Sequence, residues 1–163
     1  MRPLVLLAGY GQSHSITTFY ERVRALDALV LDVRLYPTSR REEWRRYDLE
    51  LVLGERYRHW PCWGNRNYKG NLSGPRFQIA NWPAGVRMLA GIERQGRYRV
   101  VILLCACRSE RECHRGELGR ALRLMGYTVR AFEWRPKTAA IVPQGTLDLQ
   151  VEQSAGRRRG KGR

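Results

Sequence analysis

The amino-acid sequence predicts an α/β fold, a Rossmann-like three-layer sandwich in which helices cover both faces of a mostly parallel sheet. Three observations point there. Two uninterrupted apolar runs, residues 4–8 and 100–104, have the length and composition of strands buried on both faces. Strand-like and helix-like segments alternate along the chain, which calls for crossover helices between parallel strands. The residues that carry chemistry gather just after strand-like segments, at the sheet edge where folds of this class bind ligands.

Taken in order, the first run, Leu4-Val5-Leu6-Leu7-Ala8, is ended by Gly9. Ser15 is placed to cap a helix over 16–25, with Ile16, Phe19, Val23 and Leu26 on one face. A second strand is expected at 28–33, and Pro37 stops it within the loop 34–40. Residues 42–53 read as a helix with Trp44, Tyr47 or Asp48, and Leu51 facing inward, and Gly54 ends it. A short third strand at 56–60 leads into a Gly- and Asn-rich loop, 61–75, of a length that is usually functional or mobile.

Helix returns over 83–95, with Pro83 suited to the first turn and Val86, Leu89 and Ala90 or Ile92 inward. After the strand at 100–104 and a cysteine-bearing loop, a helix runs from about 114 to 125, with Leu118, Ala121, Leu122 and Met125 inward and Gly126 as its stop. A last strand is expected at 128–132. Residues 134–153 are ambiguous, with one further strand at 147–151. Residues 1–153 are thus read as a single domain, and 154–163 as a basic tail without apolar residues that should be disordered.

Composition bounds the partners. A chain of 163 residues is one ordinary domain. Its apolar runs fall well short of the roughly 20 residues a membrane helix needs. Only Arg2 precedes the first run and Gly9-Tyr10-Gly11-Gln12 follows it, so the N-terminus reads as a buried strand and not as a signal peptide, and a cytoplasmic protein is expected. Three of the four cysteines lie between positions 105 and 113, unlike a secreted disulfide framework, so a reduced state is expected. Thirty Lys and Arg against fifteen Asp and Glu give a formal net charge of +15, most of it arginine. That excess suits a polyanion, and nucleic acid or a nucleotide is the expected partner. The competing explanation is an arginine-rich composition spread over a solvated face and the tail. The tail would add affinity to phosphate, not specificity.

Four clusters hold the chemistry. Gly9-Tyr10-Gly11-Gln12-Ser13-His14-Ser15 is a strand-to-helix turn that favours an anion, but it has neither the dinucleotide fingerprint nor a P-loop lysine. His14 there is either a base or phosphate contact, or structural. Asp32-Val33-Arg34, with Ser39 and Arg40 after the proline turn, sets a carboxylate and surplus guanidinium at one strand end. The pair either pins the loop or meets a ligand. Trp60 to Gly70 interleaves Trp63, Asn65, Tyr68 and Lys69, a mixture able to stack bases and hold their backbone or to anchor the loop.

Cys105-Ala106-Cys107 and Cys113-His114-Arg115 form the fourth cluster. Three readings compete. Cys105, Cys107, Cys113 and His114 are chemically able to bind a metal, but the spacing is not that of paired CxxC knuckles. A thiolate at a helix N-terminus beside His114 and Arg115 is a candidate nucleophile. The third reading makes Cys105 a small buried hydrophobe and Cys113 a helix cap.

Together, Asp32-Val33-Arg34, Pro37, Ser39-Arg40, Gly64-Asn65, Tyr68-Lys69 and Leu104-Cys105-Ala106 with Cys113-His114-Arg115 resemble the DUF488 family of small prokaryotic proteins, from about residue 4 to 129. Two positions depart from its pattern. The first turn reads Gly9-Tyr10-Gly11-Gln12, with its glycine displaced by a residue from the Gly-His-Ser or Gly-Tyr turn that such proteins show, and Cys107 stands where glutamate is usual. The resemblance implies a Rossmann-like fold and a shared pocket, without a reaction.

The sequence therefore supports a protein that meets nucleic acid or a nucleotide through a phosphate-accommodating pocket at the carboxyl edge of the sheet. In it Arg34, Ser39, Arg40, Asn65, Tyr68, Lys69 and Arg115 hold phosphate or the nucleic acid, and Asp32, Cys105, Cys113 and His114 are the candidate catalytic groups. The alternatives are a noncatalytic DNA- or RNA-binding module using the basic surface and tail, and a Cys/His metal-binding or redox-sensing protein. No residue is assigned to a metal, and the cofactor and oligomeric state are left open.

Overall fold

Alternate residues of the long central strands feed opposite sides of one sheet, and that alternation organises the molecule. The computed structural model describes residues 1–11 and 14–135, so the expected strand at 147–151 and the tail at 154–163 lie outside the described residues. Five strands, β1 (Leu4–Gly9), β2 (Leu29–Asp32), β3 (Tyr57–His59), β4 (Val100–Cys105) and β5 (Val129–Ala131), pair in the order β3-β2-β4-β1-β5. Every pairing is parallel.

Four helices connect them: α1 (Ile16–Ala25), α2 (Arg46–Leu53), α3 (Trp82–Gln95) and α4 (His114–Leu124). The chain steps one way across the sheet from β1 to β3 and the other way from β3 to β5. Right-handed crossovers therefore put α1 and α2 on one face and α3 and α4 on the other. The packing agrees. Phe19, Val23, Leu49 and Leu53 close over Leu6, Val30, Ile102 and Leu104. Leu89, Leu118 and Leu122 close over Val5, Leu7, Leu31, Val101 and Leu103. No helix among the described residues is long and apolar enough to cross a membrane.

Ser15 caps α1 as its position suggests, its Oγ accepting from the Thr18 amide. Asn81 caps α3 in the same way, and Gly96, at φ 65°, ends that helix in the left-handed region that favours glycine. One helix differs from the sequence expectation. Residues 42–53 do not form a continuous helix: Glu42–Trp44 is a single 3-10 turn, Arg45 is extended, and α2 starts afresh at Arg46.

The cause is Trp44, which is buried and stacks on Tyr10 with ring centroids 4.3 Å apart. Placing that indole under the sheet fixes the turn before the helix, and the restart at Arg46 turns a different stripe inward. Leu49 and Leu53 are buried, whereas Tyr47 and Leu51 are 73% and 72% exposed. Met125 is likewise on the surface, because α4 ends at Leu124 and Gly126, at φ 85°, turns the chain away.

Between β2 and β4 the sheet has a topological switch: the connection leaving β2 goes to one edge and one face, that leaving β4 to the other. Such a point opens a crevice beyond the carboxyl ends of the two strands. The candidate site lies there.

Candidate functional site at the carboxyl ends of β2 and β4

A cleft of about 520 Å³ opens at this crevice. Its floor is sulfur and imidazole. Cys105 is the last residue of β4, Cys113 is the N-cap of α4, and His114 is the first residue of that helix. Their Sγ and ring nitrogen atoms lie within 4.8 Å of one another, and all three residues are buried. Cys107 adds a fourth group, its Sγ 3.8 Å from that of Cys105.

Two contacts hold this floor in place. The amide of Arg115 donates to Cys113 Sγ at 3.5 Å, so the thiol takes the capping role of a serine. His114 Nε2 meets the Val33 carbonyl at 2.9 Å. A carbonyl only accepts, so that nitrogen carries the proton, and Nδ1, 3.8 Å from Cys113 Sγ, keeps its lone pair for the sulfur side.

The thiols titrate as a set. Hydrogen bonds from Cys107 and Cys113 hold Cys105 well below the ordinary thiol range, against the opposing effect of burial. The same sharing pushes Cys107 up to about 11 and Cys113 upward as well.

One wall comes from the end of β2. Strand parity aims Asp32 under the sheet, where it is fully buried. Its oxygens accept from Arg34 Nε at 2.8 Å, from Arg34 Nη2, from the Arg34 amide at 3.2 Å and from the Tyr57 hydroxyl at 2.6 Å. Arg34 donates in addition to the Tyr10 hydroxyl at 3.1 Å. Burial works to discharge the guanidinium, and the bonded Asp32 carboxylate more than offsets it. Burial, with Asp32 beside it, also raises the Tyr57 phenol, which stays a donor. Arg34 thus borders the cleft as a neutralised cation.

The opposite wall is residues 64–81. Asn65 pairs with Ile79 in an isolated antiparallel bridge. The Asn65 Oδ1 accepts from the amides of Asn67 at 3.1 Å and Gln78 at 2.7 Å, and its Nδ2 donates to the Arg76 carbonyl at 3.3 Å. Asn67 repeats the device on Leu72 and Pro75. This double clamp carries Tyr68, Lys69, Arg76 and Phe77 to the rim. Tyr68 meets Tyr36 edge-on with centroids 5.6 Å apart, and both are more than half exposed. Arg76 Nη2 reaches the Glu112 carbonyl at 3.4 Å, linking the wall to the loop before α4.

Of the residues singled out from sequence, Arg34, Asn65, Tyr68, Lys69, Cys105, Cys113 and His114 line this one cleft. Four do not. Asp32 lies beneath it. Ser39 Oγ accepts from the Arg41 amide at 3.1 Å and closes its own turn, and Arg40 is exposed beyond the lining. Arg115 is buried and points backward, donating to the Cys107 carbonyl at 2.9 Å and the Arg108 carbonyl at 3.5 Å. His14 stacks on Trp134 at 4.0 Å, away from the lining. Sequence reasoning missed Arg76 and Phe77, which follow Pro75 at the end of the long loop, and the two hydroxyls that serve the Asp32–Arg34 pair.

Gly9 explains why β1 ends as it does. A Cβ there would stand 2.2 Å from the Cys107 carbonyl oxygen and 2.5 Å from the Arg115 guanidinium nitrogens. Only glycine lets that guanidinium brace the β4–α4 loop against β1. Gly9→Ala is expected to lower stability by about 1–3 kcal/mol, the usual cost of overpacking. A urea titration with the midpoint unchanged would refute the close approach.

The fold and the site define a doubly wound parallel α/β protein with a thiol–imidazole cluster at the base of its switch-point cleft. The chain belongs to the DUF488 family: the model of that family, described as a domain of unknown function, matches residues 15–122. Comparison with the curated proteins and with the solved structures found no match.

Proposed function

We propose that the protein binds a nucleotide in the cleft, either free or as part of a nucleic-acid strand. A base stacks against the rim aromatics Tyr36, Tyr68 and Phe77, and its phosphate is met by Lys69 and Arg76. The carrying observation is the pairing of aromatic faces with exposed cations around one concave rim, above a reactive floor. Aromatic stacking accepts every base, and the cations add a salt-dependent attraction to phosphate. Arg34 contributes shape more than charge, since Asp32 already balances it.

Any chemistry on the bound ligand falls to Cys105, Cys113 and His114, which face the cleft, with Asp32 a positioning residue for Arg34. All four cysteines are free thiols, which suits a reducing compartment, and we place the protein in the cytoplasm. The competing reading, a noncatalytic module that binds through its net charge of +15, predicts affinity that ignores the cleft.

Fluorescence titration with nucleoside monophosphates and with short single-stranded DNA and RNA oligonucleotides separates these cases. Tyr68→Ala is expected to weaken binding by about 1–3 kcal/mol, or roughly 5- to 150-fold, the range for loss of one base stack. The Lys69→Ala/Arg76→Ala pair is expected to weaken it and to flatten its dependence on salt. Affinity unchanged by all three substitutions would sink the cleft reading and favour the charge-driven one.

A further inference from the structure

The floor of the cleft is arranged as more than a set of thiols. From the geometry of Cys105, Cys113 and His114 we infer that these three residues bind a single divalent cation of borderline softness, of the zinc class, with its fourth coordination position open to the cleft. The inference is independent of what the rim binds.

Distance is the first support. Ligand atoms around a tetrahedral zinc with bonds of about 2.0–2.3 Å lie roughly 3.4–3.8 Å apart. The three donor atoms already fall within 4.8 Å of one another, and Cys113 Sγ and His114 Nδ1 are 3.8 Å apart. A contraction of about an ångström or less completes the site.

The neighbouring adjacency of Cys113 and His114 is made workable by backbone. Cys113 is extended, at φ −129° and ψ 140°, while His114 is already helical, so two consecutive side chains converge instead of diverging. The surroundings match those of metal ligands. A metal-binding histidine commonly donates its remote N–H to a carbonyl, which fixes the ring and frees the other nitrogen. His114 does this to Val33. A thiolate ligand is steadied by a backbone amide, as Cys113 is by that of Arg115.

Two thiolates and a neutral imidazole balance a divalent charge, so the buried site would be neutral when loaded. Soft sulfur with imidazole selects zinc or ferrous iron over magnesium or calcium. Three protein ligands and one open position are the pattern of catalytic zinc, whose bound water is acidic enough to be a nucleophile near neutrality. Cys107 is only half-buried and is not among the donor atoms that lie within 4.8 Å of one another, so it is left outside the ligand set.

The test uses the full chain, reduced and stripped with a chelator, and Zn²⁺ or Co²⁺ alone as the probe. Competition against a chromophoric chelator is expected to give one Zn²⁺ per chain, and the Co²⁺ form should show thiolate-to-metal charge transfer with intense tetrahedral d–d bands. Cys105→Ser, Cys113→Ser and His114→Gln are each expected to weaken Zn²⁺ binding beyond the roughly 10–100-fold seen when a supporting contact alone is lost. Cys62→Ser and Cys107→Ser are expected to leave it intact. Because buried cysteine variants can unfold, X-ray absorption on the unaltered protein provides a second reading, with two sulfur neighbours at about 2.3 Å. Substoichiometric Zn²⁺, a Co²⁺ spectrum without sulfur bands, or loss of binding in Cys107→Ser would each overturn the proposal as stated.

Discussion

Asp32→Ala is expected to cost about 3–5 kcal/mol of folding stability, the usual penalty for orphaning one partner of a buried ion pair. The carboxylate serves two groups at once. Without it, an Arg34 side chain that is only 5% exposed keeps a single described partner, the Tyr10 hydroxyl, and the buried Tyr57 hydroxyl loses its acceptor. Desolvation then acts on the guanidinium with no carboxylate to offset it.

The pair itself contributes far less than its rupture costs, because two charges had to leave water to make it. Removing both charges in Asp32→Ala/Arg34→Met should therefore recover much of the loss, and the double-mutant cycle should show a coupling well above the roughly 0.5 kcal/mol expected of independent sites. Urea denaturation of the four proteins measures it. A single Asp32→Ala protein within 1 kcal/mol of the parent would mean that water reaches the pair, and the buried network would have to be abandoned.

That network also shows what the sequence could and could not disclose. β1 and β4 were legible because strands covered on both faces must be apolar throughout, so five or six consecutive aliphatic residues leave little else to form. The break at Arg45 was not. Periodicity across 42–53 reports a helical stripe, but which stripe faces inward depends on Trp44 finding Tyr10, a contact made across more than thirty residues of chain. Ends of strands told where the site would be; they did not tell which way each side chain would point.

Strand parity decides that. Cys105 shares a face with Leu103 and Val101, and so meets α4 and its Cys113. Asp32 shares a face with Val30, and so goes beneath the cleft to Tyr57. Arg115 is two residues into a helix whose first turn turns it back toward Gly9. The sequence placed all of these at one edge. Arg76 and Phe77 escaped notice for a different reason: they reach the rim only because Asn65 folds the long loop back on itself, and a side-chain clamp of that kind has no periodicity to read.

Asn65 is therefore the second place where a large effect is expected, and it distinguishes a clamp from a phosphate contact. Asn65→Ala removes the acceptor of two backbone amides, those of Asn67 and Gln78, at about 1–3 kcal/mol for each that stays out of reach of water. It should also release Tyr68, Lys69, Arg76 and Phe77 together, so nucleotide affinity falls along with stability. Asn65→Asp keeps an oxygen for both amides and strengthens those bonds by its charge, but it turns the donation to the Arg76 carbonyl into a contact between two acceptors and holds a charge at a buried position. Its stability should fall less than that of Asn65→Ala.

A direct phosphate contact predicts the reverse order of damage. Alanine would then leave stability untouched while lowering affinity, and aspartate, placing a negative charge against phosphate, would be the more harmful of the two to binding. Urea midpoints, nucleotide titration and amide exchange at Gln78 read the three quantities separately. If Asn65→Ala leaves the Gln78 amide as protected as in the parent, the loop is held by its other bonds, chiefly Arg66 N to Gln78 O at 2.7 Å and Ala80 N to Gly64 O at 2.9 Å. The rim cations would then owe their position to the backbone, and the assignment of Asn65 as the clamp would fail.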